Sequence, residues 1–268
     1  MAEKLRFCTL FSGSSGNCTY IRYGEDEILI DAGKNAKCIC KALEELGTDI
    51  KNIKAIFITH EHSDHTSALR VLTKGRQIPV YAPEGCFYKM NGICTGKMSF
   101  LRVPFEEKVG GITVRSFKTP HDSDDSAGYI ADFGEYFVGV ATDMGCVEKN
   151  VVKELAGCRY ALIEANYDHD MLEEGIYPEY LKSRIASEEG HMSNKGAAML
   201  GTVLLRTGTQ RVAFGHLSRE NNRPECVRNE MDKKLAEKGI EGDYLVAQRD
   251  SVTVIADEFS ALKEASIC

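Results

Sequence analysis

No stretch of this chain approaches the ~18 consecutive apolar residues that mark a bilayer-crossing helix. The opening MAEKLRFCTLFSGSSGN also lacks the long apolar core of a signal peptide. No membrane partner is expected, and a cytoplasmic location is. Basic charge is not in excess either: 33 Lys and Arg against 40 Asp and Glu leave a net charge of -7. That balance argues against non-specific coating of nucleic acid, which rests on many cationic contacts to phosphates, but it leaves room for a local basic groove. The ten cysteines include no CxxC pair, so free thiols are expected and not a disulfide framework. Cys38 and Cys40 are two apart on an apparent helix and do not face each other. Proline- or serine-rich linkers, internal repeats and low-complexity segments are missing as well, which favours one domain over residues 1–268.

What is present is ordinary globular material patterned in two ways. At 43% hydrophobic and 27% charged the composition excludes disorder and a fibrous architecture. The first part reads as strands and turns: LRFCTLF, the small polar loop SGSSGN, CTYIRY and EILIDAG. Apolar positions in KNAKCICKALEELG fall at helical spacing, with Gly47 as a stop. The strand IKAIFIT, a helix at TSALRVLTKG, the strand IPVYAP and a helix near PEGCFYKM follow, then strands near MSFLRV, GITVRSFKT, SAGYIADF and EYFVGVATD. From there helices at VEKNVVKELAG, PEYLKSRIASEEG, SNKGAAMLGTVLLR and RPECVRNEMDKKLAEKG alternate with the strands RYALIEAN and RVAFGHL, and YLVAQ and SVTVIA close the chain. Sheets carrying helices on their outer faces give the expected class: α/β, a four-layer αββα sandwich.

The segment HEHSDH sets His60, Glu61, His62, Asp64 and His65 where the backbone leaves an apolar strand. In extended chain alternate side chains share a side, so His60 and His62 can grip one ion while Glu61 turns aside. As the chain bends towards a helix, Asp64 and His65 can reach a second ion. His121 in TPHD, Asp143 in ATDMG and His216 in FGHLS also follow apparent strand ends. Each alone is weak, since such residues often only shape turns. Together they complete two sets: His60, His62 and His121 on one ion, Asp64, His65 and His216 on the other, with Asp143 bridging. Imidazole and carboxylate donors without thiolate suit two divalent ions, zinc or manganese, with iron possible.

In that order these motifs resemble the metallo-β-lactamase superfamily over nearly the whole chain. SGSSGN, THEHSDH, ATDMG, EANYD, EGHMSN and GHLSRENN are similar to its YycJ (WalJ) branch, bacterial proteins considered 5′ to 3′ DNA exonucleases. The resemblance implies the metallo-β-lactamase fold, a metal site on the rim of the sheets, and Asp31 in a supporting role that orients a ligand histidine or the neighbouring loop. Glu164 and His191 resemble residues that assist proton transfer in ribonuclease Z; a plain loop capped by Ser193 accounts for the same residues. No inserted β-CASP domain or long flexible arm is present, so action on an exposed nucleic-acid end is more attractive than RNA maturation.

The expectation is therefore a dinuclear phosphodiesterase acting on DNA, with Asp64, His191 and Glu164 catalytic. Ser12, Ser15 and Asn17 lie in a loop of small residues able to approach a ligand closely, although a tight hairpin explains that composition equally well. Arg219 and Arg223 follow His216 and can hold a neighbouring phosphate. The alternatives are a thioester or lactone hydrolase using the same metals, and a non-haem di-iron redox protein.

Overall fold

A computed structural model describes residues 4–259. In the first sheet β1 (Leu5–Phe11), β2 (Cys18–Tyr23) and β3 (Asp26–Ile30) run antiparallel. β4 (Ile53–Phe57), β5 (Val80–Pro83) and β6 (Met98–Leu101) then add in parallel. The second sheet repeats the plan. β7 (Glu106–Val109), β8 (Ile112–Lys118), β9 (Ala127–Asp132) and β10 (Phe137–Ala141) are antiparallel. β11 (Tyr160–Glu164), β12 (Arg211–Gly215) and β13 (Asp243–Val246) extend it in parallel. Last, β14 (Thr253–Asp257) returns to the first sheet beside β1.

Helices α1 (Ala36–Glu45), α2 (Ser63–Thr66), α3 (Leu69–Thr73) and α4 (Phe87–Met90) fall between strands of the first sheet. Helices α5 (Lys149–Leu155), α6 (His169–Glu174), α7 (Glu179–Ile185), α8 (Asn194–Arg206) and α9 (Pro224–Lys238) belong to the second half.

Strand alternation produces the layers. In β4, Ala55 and Phe57 enter the apolar core between the sheets while Ile56 packs outwards with Ile39, Leu43 and Leu69. In β11, Leu162 faces that same inner core, whereas Ala161 and Ile163 meet Val151, Leu200 and Met231 on the far side. Three apolar layers thus separate four layers of structure: the αββα sandwich expected from the patterning.

Local differences have local causes. The helix expected over TSALRVLTKG is reduced to α3, set off from the short α2 ahead of it, because Ser67 Oγ and Ala68 N turn to the carbonyls of Gly33 and Ala32. β7 and α6 were not expected; each offers one buried side chain, Val109 and Leu172, too little to print a period.

The arrangement matters because β3 and β4, and likewise β10, β11 and β12, are parallel, so their carboxyl ends share a rim where loops can converge. Three non-glycine residues have positive φ among those described, namely Asp31 (63°), Asp143 (59°) and His216 (55°). All three follow strand ends on this rim. Left-handed backbone is uncommon outside glycine and persists where the surroundings enforce it, typically at functional sites.

Candidate metal centre

Six of the seven histidines meet on this rim. The ligand atoms of His60, His62 and His121 lie within 4.8 Å of one another, and so do those of Asp64, His65 and His216. Asp143 stands between them, its Oδ2 3.3 Å from His65 Nε2 and its Oδ1 3.9 Å from His121 Nε2. The two sets read from the sequence are therefore two clusters in space, with the anticipated carboxylate between.

Which nitrogen each histidine presents follows from what holds the other one. Nδ1 of His60 meets Thr59 Oγ1 at 3.0 Å, and Nδ1 of His65 meets Asp31 Oδ2 at 2.8 Å. Nδ1 of His121 donates to the Gly190 carbonyl at 3.0 Å, and Nδ1 of His216 meets Glu164 Oε1 at 2.8 Å. Four Nε2 atoms are thus turned to the centre by partners behind the rings, the arrangement that fixes tautomer and orientation in metal sites. His62 differs by presenting Nδ1, 2.9 Å from His60 Nε2.

The donor set fits a pair of cations. His216 Nε2 and Asp143 Oδ2 are buried atoms with no hydrogen-bond partner, an arrangement that costs stability unless something binds them. Burial, then the neighbouring imidazoles, hold the His60 pKa well below its ordinary value, which keeps that ring a neutral donor. At His65 burial opposes protonation, but the charges of Asp143, Asp31 and Asp64 outweigh it and push the pKa up. The same negative field attracts metal ions, which compete with protons for the same nitrogen. No cysteine belongs to either cluster.

Supporting residues come from loops that the sequence alone does not bring together. Asp31 is buried and accepts hydrogen bonds from Thr59 N and Thr59 Oγ1, besides meeting His65. Glu61 does turn aside: it accepts from Lys89 Nζ at 2.8 Å and from Asp124 N at 3.1 Å. It thereby ties the HEHSDH loop to α4 and to the loop carrying His121. Thr59, Glu61 and Lys89 in these roles are missed by sequence reasoning, because nothing in a strand-end threonine or an exposed-looking glutamate marks them.

Glu164 is fully buried at the end of β11, bracketed by His216 and by His191, whose Nδ1 is 2.7 Å away. Its other oxygen accepts from the backbone N–H groups of Met144 and Met192. Burial alone would raise its pKa, but these partners, His191 first, hold it well below the carboxylate range. His191 lies at the mouth, partly exposed.

The SGSSGN loop reaches the centre from behind. Ser12 Oγ accepts from His216 N, and Asn17 N donates to the Asp64 carbonyl. Asn17 Nδ2 is 3.1 Å from His65 Nε2, and its side chain is buried. Ser15 is exposed and accepts from Lys34 Nζ. Arg219 is exposed and paired with Asp250, and Arg223 is exposed as the residue before α9.

Fold and site together define a metal-dependent hydrolase, and the comparisons agree. Residues 26–217 match the Beta-lactamase superfamily domain, and the chain belongs to that superfamily. Within it the chain is 33% identical to "Exodeoxyribonuclease YycJ" of Bacillus anthracis over 239 residues, 88% of this chain and 90% of that one. It is 34% identical to "Exodeoxyribonuclease WalJ" of Streptococcus pneumoniae serotype 2 over 238 residues, 87% of this chain and 88% of the other. The metallo-beta-lactamase fold protein YhfI from Bacillus subtilis superposes with a TM-score of 0.74 at 16% identity, covering 94% of this chain and 99% of its own. That similarity shows the shared fold.

Proposed function

We propose that the chain is a dinuclear phosphodiesterase that removes nucleotides from a DNA end in the 5′ to 3′ direction, as a single cytoplasmic domain. The observation that carries the reading is the Asp143 carboxylate between two clusters of ligand atoms, with the His191–Glu164 pair beside them. Relatives with exodeoxyribonuclease names over nearly nine-tenths of the chain support the choice of DNA.

His60, His62 and His121 would hold one ion and Asp64, His65 and His216 the other, with Asp143 shared; the nitrogen and oxygen donors favour zinc or manganese. When bound, such a pair supplies the charge that activates a water at neutral pH and offsets charge on a phosphate oxygen. The chain's own contribution is a proton. His191 has its Nδ1 committed to Glu164, and burial is outweighed by that carboxylate, so its pKa is raised. A protonated ring would offer its Nε2 proton to the departing 3′ oxygen. Arg219 and Arg223 would meet flanking phosphates, with Ser15 linked to Arg219 through Lys34 and Asp250, while Asn17, buried against Asp64 and His65, would position the ligands.

The test is release of mononucleotides from 5′-labelled DNA by manganese- or zinc-loaded protein. Activity should require the metal and vanish in Asp64→Ala. Retention of activity in that variant, or turnover of thioesters and lactones but not DNA, would overturn the reading.

A further inference from the structure

Beside the candidate metal centre, His191 and Asp122 help to line a cavity of about 190 Å³. One wall is apolar. Tyr177, Leu181 and Ile185 recur at intervals of four, the spacing that puts side chains on one face of a helix, and they carry that face of α7 and its approach into the cavity. The rest of the lining is polar: Ser14, Asn166 and Ser218 from strand-end loops, and the Arg184–Asp122 ion pair, which leaves little net charge in the cavity.

No residue of α7 is buried, so this helix covers no core of its own. It is nevertheless fixed to the centre. His121 Nδ1 donates to the Gly190 carbonyl, His191 N donates to the Ile185 carbonyl, and Arg184 pairs with Asp122 next to His121. A helix held firmly beside a reaction centre with its apolar side left in the cleft has a ligand as its natural partner. The volume is below the ~300 Å³ at which pockets for drug-sized molecules begin. It suits one flat ring system, apolar on its face and hydrogen-bonding at its edge.

We infer that this slot receives the base of the terminal nucleotide, with Tyr177 as the stacking residue and the Ser14, Asn166 and Ser218 wall along the base edge. The inference rests on the DNA reading above and adds how the end of the strand is seated. Aromatic stacking accepts any base, so the slot selects for an end rather than for a sequence. The phosphate then falls towards the clusters, because His191 borders both the cavity and the centre.

The experiment uses manganese-loaded protein and single-stranded DNA whose first internucleotide linkage is a non-hydrolysable phosphonate. The strand carries fluorescent 2-aminopurine either at its 5′ end or well inside, and a remote dye reports binding by anisotropy. Terminal 2-aminopurine should be quenched about twofold or more on binding and the internal base much less. Tyr177→Ala should abolish the terminal quenching and weaken binding by about fivefold or more, while Tyr177→Phe retains both. Bound DNA whose terminal base stays bright, or unchanged quenching in Tyr177→Ala, overturns the slot and leaves the DNA reading intact. No anisotropy change with any strand overturns both.

Discussion

The Asp31 carboxylate lies 2.8 Å from Nδ1 of His65, and both side chains are buried. Asp31 also takes the N–H and hydroxyl of Thr59, so one carboxylate holds the strand end before HEHSDH and the last histidine within it. Partners behind a ligand ring typically account for about 10- to 100-fold in metal affinity. Asp31→Ala should therefore weaken the ion of the His65 cluster by about that factor in chelator competition, and the ion of the His60 cluster, which Asp31 reaches only through Thr59, by less. Equal weakening of both ions would contradict this division.

Gly33 makes a backbone contact that no other residue can make. A Cβ placed there would lie 1.5 Å from the carbonyl oxygen of Asp64, and backbone cannot swing away as a side chain can. Gly33 N also donates to Asn17 O, while Asn17 N donates to that same Asp64 carbonyl. Gly33→Ala should thus displace the Asp64 segment, at a cost of about 1–3 kcal/mol or more in denaturant unfolding. Metal content should fall from two ions towards one.

The Glu61 carboxylate gives a pH dependence with a definite sign. Burial opposes its ionisation, but Lys89 and the Asp124 N–H prevail and lower the pKa from 4.5. A depressed carboxylate stabilises the fold above its unfolded pKa and loses that contribution as acid protonates the folded state. In metal-free protein, Glu61→Gln should be less stable than the parent at neutral pH, and the gap should close as pH falls below about 4.5. A gap that widened on acidification would reverse the assignment.

These cases divide what the sequence could and could not reveal. HEHSDH was legible because its ligands are neighbours in the chain after an apolar strand, and the sandwich was legible from strand alternation and helical spacing. Asp31 was legible only through the family resemblance, which gives it a supporting role towards a ligand histidine or the neighbouring loop. The link from Glu164 to His216 crosses 52 positions and exists because β11 and β12 pair with Glu164 opposite Gly215. Spacing cannot display register between distant strands. The slot under α7 was hidden for a related reason, since PEYLKSRI reads as an ordinary surface helix until the loop at Gly190 is seen beneath it.

His191 and His216 share Glu164 as a partner but are expected to fail differently when removed. His216 belongs to a ligand cluster with Asp64 and His65, and its Nε2 is buried without a partner. His216→Ala should therefore lower metal content along with activity. His191 lies at the mouth with its Nδ1 bound to Glu164; under the proposed mechanism it would supply a proton and would not be needed to close either cluster. His191→Gln should keep both ions and nearly the parent KM, while kcat on DNA falls by about 10²- to 10⁴-fold, the usual contribution of a general acid. A substrate with a good leaving group needs less protonation, so replacing the scissile 3′ oxygen by sulfur should recover much of the lost rate. Metal analysis and the two kcat values decide the matter: loss of an ion from His191→Gln, or an equal defect on both substrates, would make His191 a structural or ligating residue instead of the proton donor.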